Sequence, residues 1–349
     1  MKKILFAAST LLIVACGSNK NTTDDANVDQ AAKYAKTITA KDLGTHLFTY
    51  ASDEFEGRNT GEPGQKKAVE YLKNFYVQQG IASPMGKDDY FQKISADWFK
   101  NNSRRGSLKD SENVLAFIKG TEKPEEIIVI SAHLDHVGVE NGEIYNGADD
   151  DGSGTVAVLE IAEAFKMAAD AGKGPKRSIL FLHVTGEEKG LLGSKYYTEN
   201  PIFPLANTVC NLNIDMIGRI DKFHKEDPNY VYLIGSDKLS TELHTLSENI
   251  NSKYMNIALD YKYNDENDPN RFYYRSDHYN FAKHNIPIIF YFNGTHADYH
   301  QPTDTPDKIN YELLENRARL VFHTAWEVAN KDTRIIADKA EVEKGKTTE

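Results

Sequence analysis

Cysteine is almost missing from this chain. The 349 residues contain two, Cys16 and Cys210. Cys16 ends an N-terminal apolar run, so no disulfide can form inside the folded domain, and no metal site there can be built from thiolates. A basic surplus is also missing. Lys and Arg total 41 against 52 Asp and Glu, a net charge of −11. If Lys2 and Lys3 leave with a leader, 39 basic residues face 52 acidic ones, a balance of −13. Non-specific nucleic-acid binding needs a basic face, so no nucleic-acid partner is expected. Beyond the first sixteen residues there is no apolar run long enough to span a bilayer. What the chain does have is core material: 40% hydrophobic and 11% aromatic residues. That suffices for one large domain or two ordinary ones.

The first sixteen residues read MKKILFAASTLLIVAC. Two lysines precede an apolar stretch too short to cross a membrane, then a small residue and a cysteine. IVAC resembles a bacterial lipobox, which implies a signal peptide over residues 1–15 and lipidation of Cys16. The polar run that follows, GSNKNTTDDANVDQ, lacks an apolar period and suits a flexible tether. The expected organisation is a tether over 16–35, a folded domain over 36–331 and a charged tail over 332–349. The lipid would hold the domain outside the cytoplasm on a bacterial membrane. Gly17 does not resemble an inner-membrane retention signal, so the outer membrane is expected, on its periplasmic or its exterior side.

Between these ends the pattern alternates. Residues 31–50 and KKAVEYLKNFYVQQGI have helical spacing, the latter ending at Gly80. Residues 83–112 read as irregular with a strand near YFQKI. NVLAFIKG and EEIIVISAH are strand-like and joined by a short turn. Strands RSILFLHV, TVCNLNIDMIG, YVYLIG and IPIIFYF alternate with helices over 153–172, 189–200, 238–254 and 311–331. Strands alternating with helices predict a single α/β domain with a mixed, mainly parallel central sheet flanked by helices. Several strands are apolar throughout, as when both faces are covered. Cys210 falls within one of them and reads as a buried core residue.

In such a sheet, ligands bind beyond the carboxyl ends of the strands. Residues just past four strands carry His, Asp or Glu: His133 and Asp135 after IIVISA, Glu187 and Glu188 after ILFLHVTG, Asp215 after VCNLNI, and His296, Asp298 and His300 after IPIIFYFNG. A fifth acidic group, Asp149–Asp150–Asp151 in NGADDDGSG, leads into a helix. Imidazoles and carboxylates without thiols suit zinc or another first-row divalent ion such as cobalt or manganese. So many anions suggest two metals rather than one. In an irregular turn, neighbouring glutamates can point differently, one toward metal and the other toward a water whose proton it receives.

Taken together, HLD, NGADDDGSG, TGEEKGLLGS, NIDMIG, RSDH and the late YH resemble the M28 family of metallopeptidases, close to its bacterial di-zinc aminopeptidases. GRNTGEPG near the start adds to the likeness, which covers roughly residues 40–330. The resemblance implies that His133 and Asp215 hold one zinc, Glu188 and His300 a second, and Asp150 bridges them. It implies that Glu187 is the general base, with a strained or cis peptide at Asp150–Asp151. It also implies that Asp135 accepts a hydrogen bond from His133 and fixes its tautomer. Tyr273 matches a position that can stabilise the oxyanion, with adjacent Tyr274 as the alternative. The implied activity is hydrolysis of the N-terminal peptide bond of peptides.

Other tempting residues are read as structural. His136 is assigned to the surface, His183 to the packed core and His296 to a non-ligating role. Asp149 and Asp151 are read as loop-shaping acids, and Asp277 and His278 as structural. Three rivals remain: a carboxypeptidase or dipeptidase of the same fold, a single-zinc glutaminyl cyclase, and a non-catalytic binding protein on a peptidase scaffold. The DDD triplet counts against the cyclase, and the filled ligand positions count against the binding protein.

Overall fold

The computed structural model describes residues 29–104 and 106–340. The expected leader, Cys16, most of the tether and the last nine residues lie outside them. Among the described residues, ten strands form in chain order: β1 (Phe91–Ile94), β2 (Ser111–Ile118), β3 (Lys123–His133), β4 (Gly138–Glu140), β5 (Glu143–Tyr145), β6 (Arg177–Val184), β7 (Thr208–Ile214), β8 (Tyr230–Ile234), β9 (Ala258–Asp260) and β10 (Ile288–Phe292). The α-helices are α1 (Gln30–Ala35), α2 (Ala40–Tyr50), α3 (Pro63–Gln79), α4 (Ala96–Asn102), α5 (Gly154–Asp170), α6 (Leu192–Glu199), α7 (Thr241–Ile250), α8 (His278–Ala282) and α9 (Tyr311–Asn330).

Eight strands make one sheet in the order β1-β2-β6-β3-β7-β10-β8-β9. Its four central strands, β6, β3, β7 and β10, run parallel, and antiparallel strands flank them on both sides. This is the mixed, mainly parallel α/β sheet expected. The segments β2 and β3, adjacent in sequence, do not pair. Strand β6 lies between them, antiparallel to β2 and parallel to β3. The chain leaves β3 toward β6 on one side and returns to β7 on the other, so β3 and β7 flank a switch point where a crevice opens at the strand ends.

The sheet is covered on both faces. Along β3, Ile128, Ile130 and Ala132 face a core shared with Val156 and Leu159 of α5 and Val321 and Phe322 of α9. Ile127 and Val129 face the opposite core with Tyr197 of α6 and Phe281 of α8. This two-sided burial explains the unbroken apolar runs, each buried aliphatic side chain contributing about 1.5–3 kcal/mol. Cys210 on β7 is fully buried, and burial pushes its thiol up to about 12. Helix α3 starts with Pro63 in its first turn and ends at Gly80, whose φ of 66° is the left-handed cap that sterics reserve for glycine.

The structure redraws three boundaries. Residues 30–35, placed within the expected tether but also at the start of the stretch expected to be helical, form α1, whose Tyr34 stacks on Trp326 with ring centroids 6.0 Å apart. The expected tail also packs: Ile335 is buried, and Asp338 accepts a hydrogen bond from the Thr241 N–H at 2.8 Å. The irregular stretch contains α4, started by Ser95, whose hydroxyl accepts from Trp98 N–H at 3.2 Å. Among the described residues, no helix is long and apolar enough to cross a membrane.

Candidate metal centre

The carboxyl ends of the four parallel strands converge. His133 ends β3, Glu187 and Glu188 follow β6, Asp215 follows β7, and the segment after β10 brings His300. Asp150 lies between the two sides. His133 Nε2 is 3.0 Å from Asp150 Oδ1 and 3.7 Å from Asp215 Oδ1. His300 Nε2 is 2.9 Å from Asp150 Oδ2 and 3.2 Å from Glu188 Oε1. Each oxygen of one carboxylate thus meets a different imidazole, and each imidazole has a second carboxylate beside it. The Asp150–Asp151 peptide is cis.

Neighbouring loops fix this arrangement. Asp151 is spent on backbone: its carboxylate accepts from His133 N–H (3.1 Å), Gly154 N–H (2.9 Å) and Met216 N–H (3.1 Å). Asp149 accepts from Gly218 N–H at 2.7 Å and lies 3.1 Å from His296 Nε2. Asp304 accepts from Asp149 N–H (2.9 Å) and Asp150 N–H (3.2 Å), tying the His300 segment to the acidic triplet. Arg58, from GRNTGEPG, is completely buried and donates to the carbonyls of Leu134 (3.2 Å), Asn146 (2.7 Å) and Gly147 (2.8 Å).

Asp135 differs from the expectation. The ring Nδ1 of His133 bonds the Asp135 backbone carbonyl at 2.9 Å, while the carboxylate Oδ1 is 3.9 Å away. The carboxylate accepts instead from the Thr60 hydroxyl (2.7 Å) and from Glu187 N–H (3.1 Å). The tautomer of His133 is still fixed, but by a main-chain oxygen.

Tyr273 is a correction. It does not line the cleft at Glu187. Its ring packs against His278 (5.7 Å between centroids) and Tyr279 (5.8 Å), with the Lys238 ammonium 5.1 Å from its centroid. The short 3-10 turn Phe272–Tyr274 points this residue into its own neighbours. Tyr274, largely exposed, and Tyr299 do line a cleft of about 250 Å³ with Glu187, Glu188, Arg275 and His300. The Tyr299 ring stacks on His300 at 4.0 Å, and its hydroxyl accepts from Arg275 Nη2 at 3.3 Å. In the sequence, the YH pair signals only its histidine. A roomier open groove, about 700 Å³, lies among Leu246, Ile250 and Ile336 and holds none of these residues.

His136 is a second correction. It is fully buried rather than on the surface, with Nδ1 2.9 Å from Glu188 Oε1. His183 is packed as expected, 2.7 Å from the Tyr76 hydroxyl.

The electrostatics suit a cationic guest. Among the described residues, no lysine or arginine pairs with Asp150, Asp215 or Glu187. Burial, together with Glu188, Asp215 and Asp277, pushes the Glu187 carboxyl well above the usual carboxylate range. Burial opposes charge on His300, but contacts with Asp150 and Glu188 outweigh it and push the imidazole up to about 10. Two groups of side chains have donor atoms close enough to share an ion: His133–Asp151–Asp215 and His136–Asp150–Glu188. The donors are nitrogen and oxygen only, in a buried and anion-rich crevice, so a divalent metal fits the site.

Comparison with known proteins agrees. The chain is 29% identical over 305 residues to leupeptin-inactivating enzyme 1 of Streptomyces exfoliatus, covering 81% of this chain and 59% of that protein. It is 30% identical over 227 residues to a probable leucine aminopeptidase of Arthroderma otae, covering 62% and 57%. It therefore spans less than two thirds of the length of these curated relatives. The fold is that of the Legionella pneumophila LapA aminopeptidase structure, with a TM-score of 0.65 at 21% identity, covering 86% of this chain and 75% of the other. The description of Peptidase family M28 matches residues 113–325, the stretch that carries all the strand-end residues described above, and the chain belongs to that family.

Proposed function

We propose that this protein is a di-zinc exopeptidase that releases the N-terminal residue of peptides. The observation that carries the reading is Asp150, whose two carboxylate oxygens each face a different imidazole–carboxylate pair at the ends of parallel strands. In this reading His133 and Asp215 would hold one ion, Glu188 and His300 the other, and Asp150 would serve both. Such ions supply Lewis-acid polarisation of a peptide carbonyl and lower the pKa of a water. The chain's own residues do the rest. Glu187, whose backbone is pinned to Asp135, takes the proton of the attacking water and returns it to the leaving amine. Its raised proton affinity fits a group that must both take and give. Tyr299 accepts from Arg275, which leaves its own proton free to stabilise the developing oxyanion. The aminopeptidase polarity is supported by the similarity to a relative named a probable leucine aminopeptidase.

The likeness of IVAC to a lipobox supports attachment to a bacterial membrane through lipidated Cys16, outside the cytoplasm, with the outer membrane favoured by Gly17.

The test is hydrolysis by the zinc-loaded protein of peptide pairs that differ only in a free or blocked amino terminus. Cleavage of the free-amine member alone, releasing its first residue, is expected. Cleavage of both from the carboxyl end would overturn the polarity.

A further inference from the structure

We propose that Arg275 selects the substrate: it pairs with a carboxylate in the side chain of the peptide's first residue, so that peptides beginning with aspartate or glutamate are preferred. This rests on the aminopeptidase reading and deepens it.

Arg275 borders two spaces at the metal centre. One is the open cleft of about 250 Å³ with Glu187 and His300. The other is a smaller chamber that touches the same two residues and reaches Asp150 and Asp215. Among the described residues, Arg275 is the one lysine or arginine on either wall, and no carboxylate pairs with it. Two divalent ions would offset Asp150, Glu187, Glu188 and Asp215, which leaves the guanidinium as the uncompensated charge of the cleft. Its planar fork matches a carboxylate, and the walls of a cleft strengthen the attraction relative to open water.

The side chain is already in place. Nη2 donates to the Tyr299 hydroxyl at 3.3 Å, and the guanidinium carbon lies 4.8 Å from the centre of the Phe272 ring. Among the described residues, Nε and Nη1 have no acceptor. A long side chain held before the ligand arrives loses little freedom on binding it.

The room available favours a side chain that turns toward this group. Met216, Phe272, Phe290 and Phe292 wall the smaller chamber, which offers only about 30 Å³. That is space for about two waters, too little for a leucine side chain. A first residue held by its amine and carbonyl at the metal centre must therefore send a longer side chain into the open cleft, where it meets Arg275.

A peptide can carry a carboxylate in its first side chain or at its carboxyl terminus, and the test separates the two. The zinc-loaded full chain is given tripeptides with amidated carboxyl termini in two matched pairs, aspartyl against asparaginyl and glutamyl against glutaminyl as first residue. In at least one pair the acidic member should have a kcat/KM at least about 10-fold higher, and Arg275→Gln should reduce that ratio to about 2 or less. Arg275→Lys keeps the charge without the fork and should retain part of the preference. Any loss of rate caused through Tyr299 is common to both members of a pair and cancels in the ratio. Ratios near one in the unmodified protein, or a preference that survives Arg275→Gln, overturn the proposal. If a free carboxyl terminus instead raises kcat/KM for the asparaginyl peptide, and Arg275→Gln abolishes that gain, the guanidinium reads the other end and the assignment to the first residue is overturned. Release of the first residue from none of the peptides overturns the aminopeptidase reading, and this proposal with it.

Discussion

The carboxylate of Asp135 holds the backbone of Glu187: its Oδ1 accepts the Glu187 N–H at 3.1 Å while Oδ2 accepts the Thr60 hydroxyl at 2.7 Å. One acid thus links the end of β3, the turn after β6 and the GRNTGEPG loop. Its carbonyl orients His133 at 2.9 Å. The residue read from sequence as a histidine orienter therefore also places the proposed base.

Removing that link should reveal the base. Asp135→Ala is expected to lower kcat by about 100-fold with little change in KM, because a small displacement of a catalytic group costs on that order. Zinc content should stay the same, since the carbonyl that orients His133 remains. Steady-state kinetics with metal analysis checks this, and loss of zinc would show that the carboxylate supports the metal side instead.

Glu187→Gln should keep both zincs and lose about 10²–10⁴-fold in kcat, the usual scale for a general base. Full activity in that variant would remove Glu187 from the mechanism.

A buried polar chain leads into the site from below. Asn211 donates to Ser131 (2.8 Å), Ser131 to Asn213 (2.7 Å), Asn213 to Ser276 (2.9 Å) and Ser276 to Asp215 Oδ2 (2.6 Å). Ser276→Ala strands the Asn213 amide and frees Asp215 to turn. A stability loss of about 1–3 kcal/mol is expected, with zinc affinity weakened by about 10–100-fold. Thermal unfolding with and without zinc separates the two effects.

These residues mark what a sequence can and cannot convey. Strand-end residues were legible because a parallel sheet sends its ligands to one edge whatever the order of its strands. The order was not: the insertion of β6 between β2 and β3 is a long-range pairing with no local signature. The β4–β5 hairpin has a local one, Asn141–Gly142, with φ of 53° and 84°. Direction within a turn was the hardest matter. Tyr273 and Tyr299 are both tyrosines near a motif, and only the path of a short 3-10 turn turns one inward to its neighbours while the other stacks on His300. His136 follows Asp135 by one residue, and its burial depends on Gly147, eleven positions later, where a Cβ would fall 2.4 Å from the ring.

Cys16→Ser should release the protein from membranes if the lipid reading holds. Detergent partitioning and labelled fatty-acid incorporation test it, and a variant that still partitions with membranes would rule out the lipid as the anchor.

His183 gives a pH dependence that is separate from the metal centre. Burial lowers its imidazole to about 3, with the Tyr76 hydroxyl at 2.7 Å, whereas the unfolded chain titrates near 6.5. Above pH 6.5 neither state binds the proton, so the group has no effect on stability there. As pH falls from about 6.5 to about 3, the unfolded chain takes up a proton that the folded one refuses. Stability should then fall by up to about 1.4 kcal/mol per pH unit from this residue alone. His183→Gln removes the titration and should flatten the curve over that window, even if it lowers stability at neutral pH. Denaturant unfolding from pH 7 to pH 4, in chelator so that zinc release does not contribute, measures the difference in slope. Parallel curves for the two proteins would mean that His183 is protonated in the folded state after all.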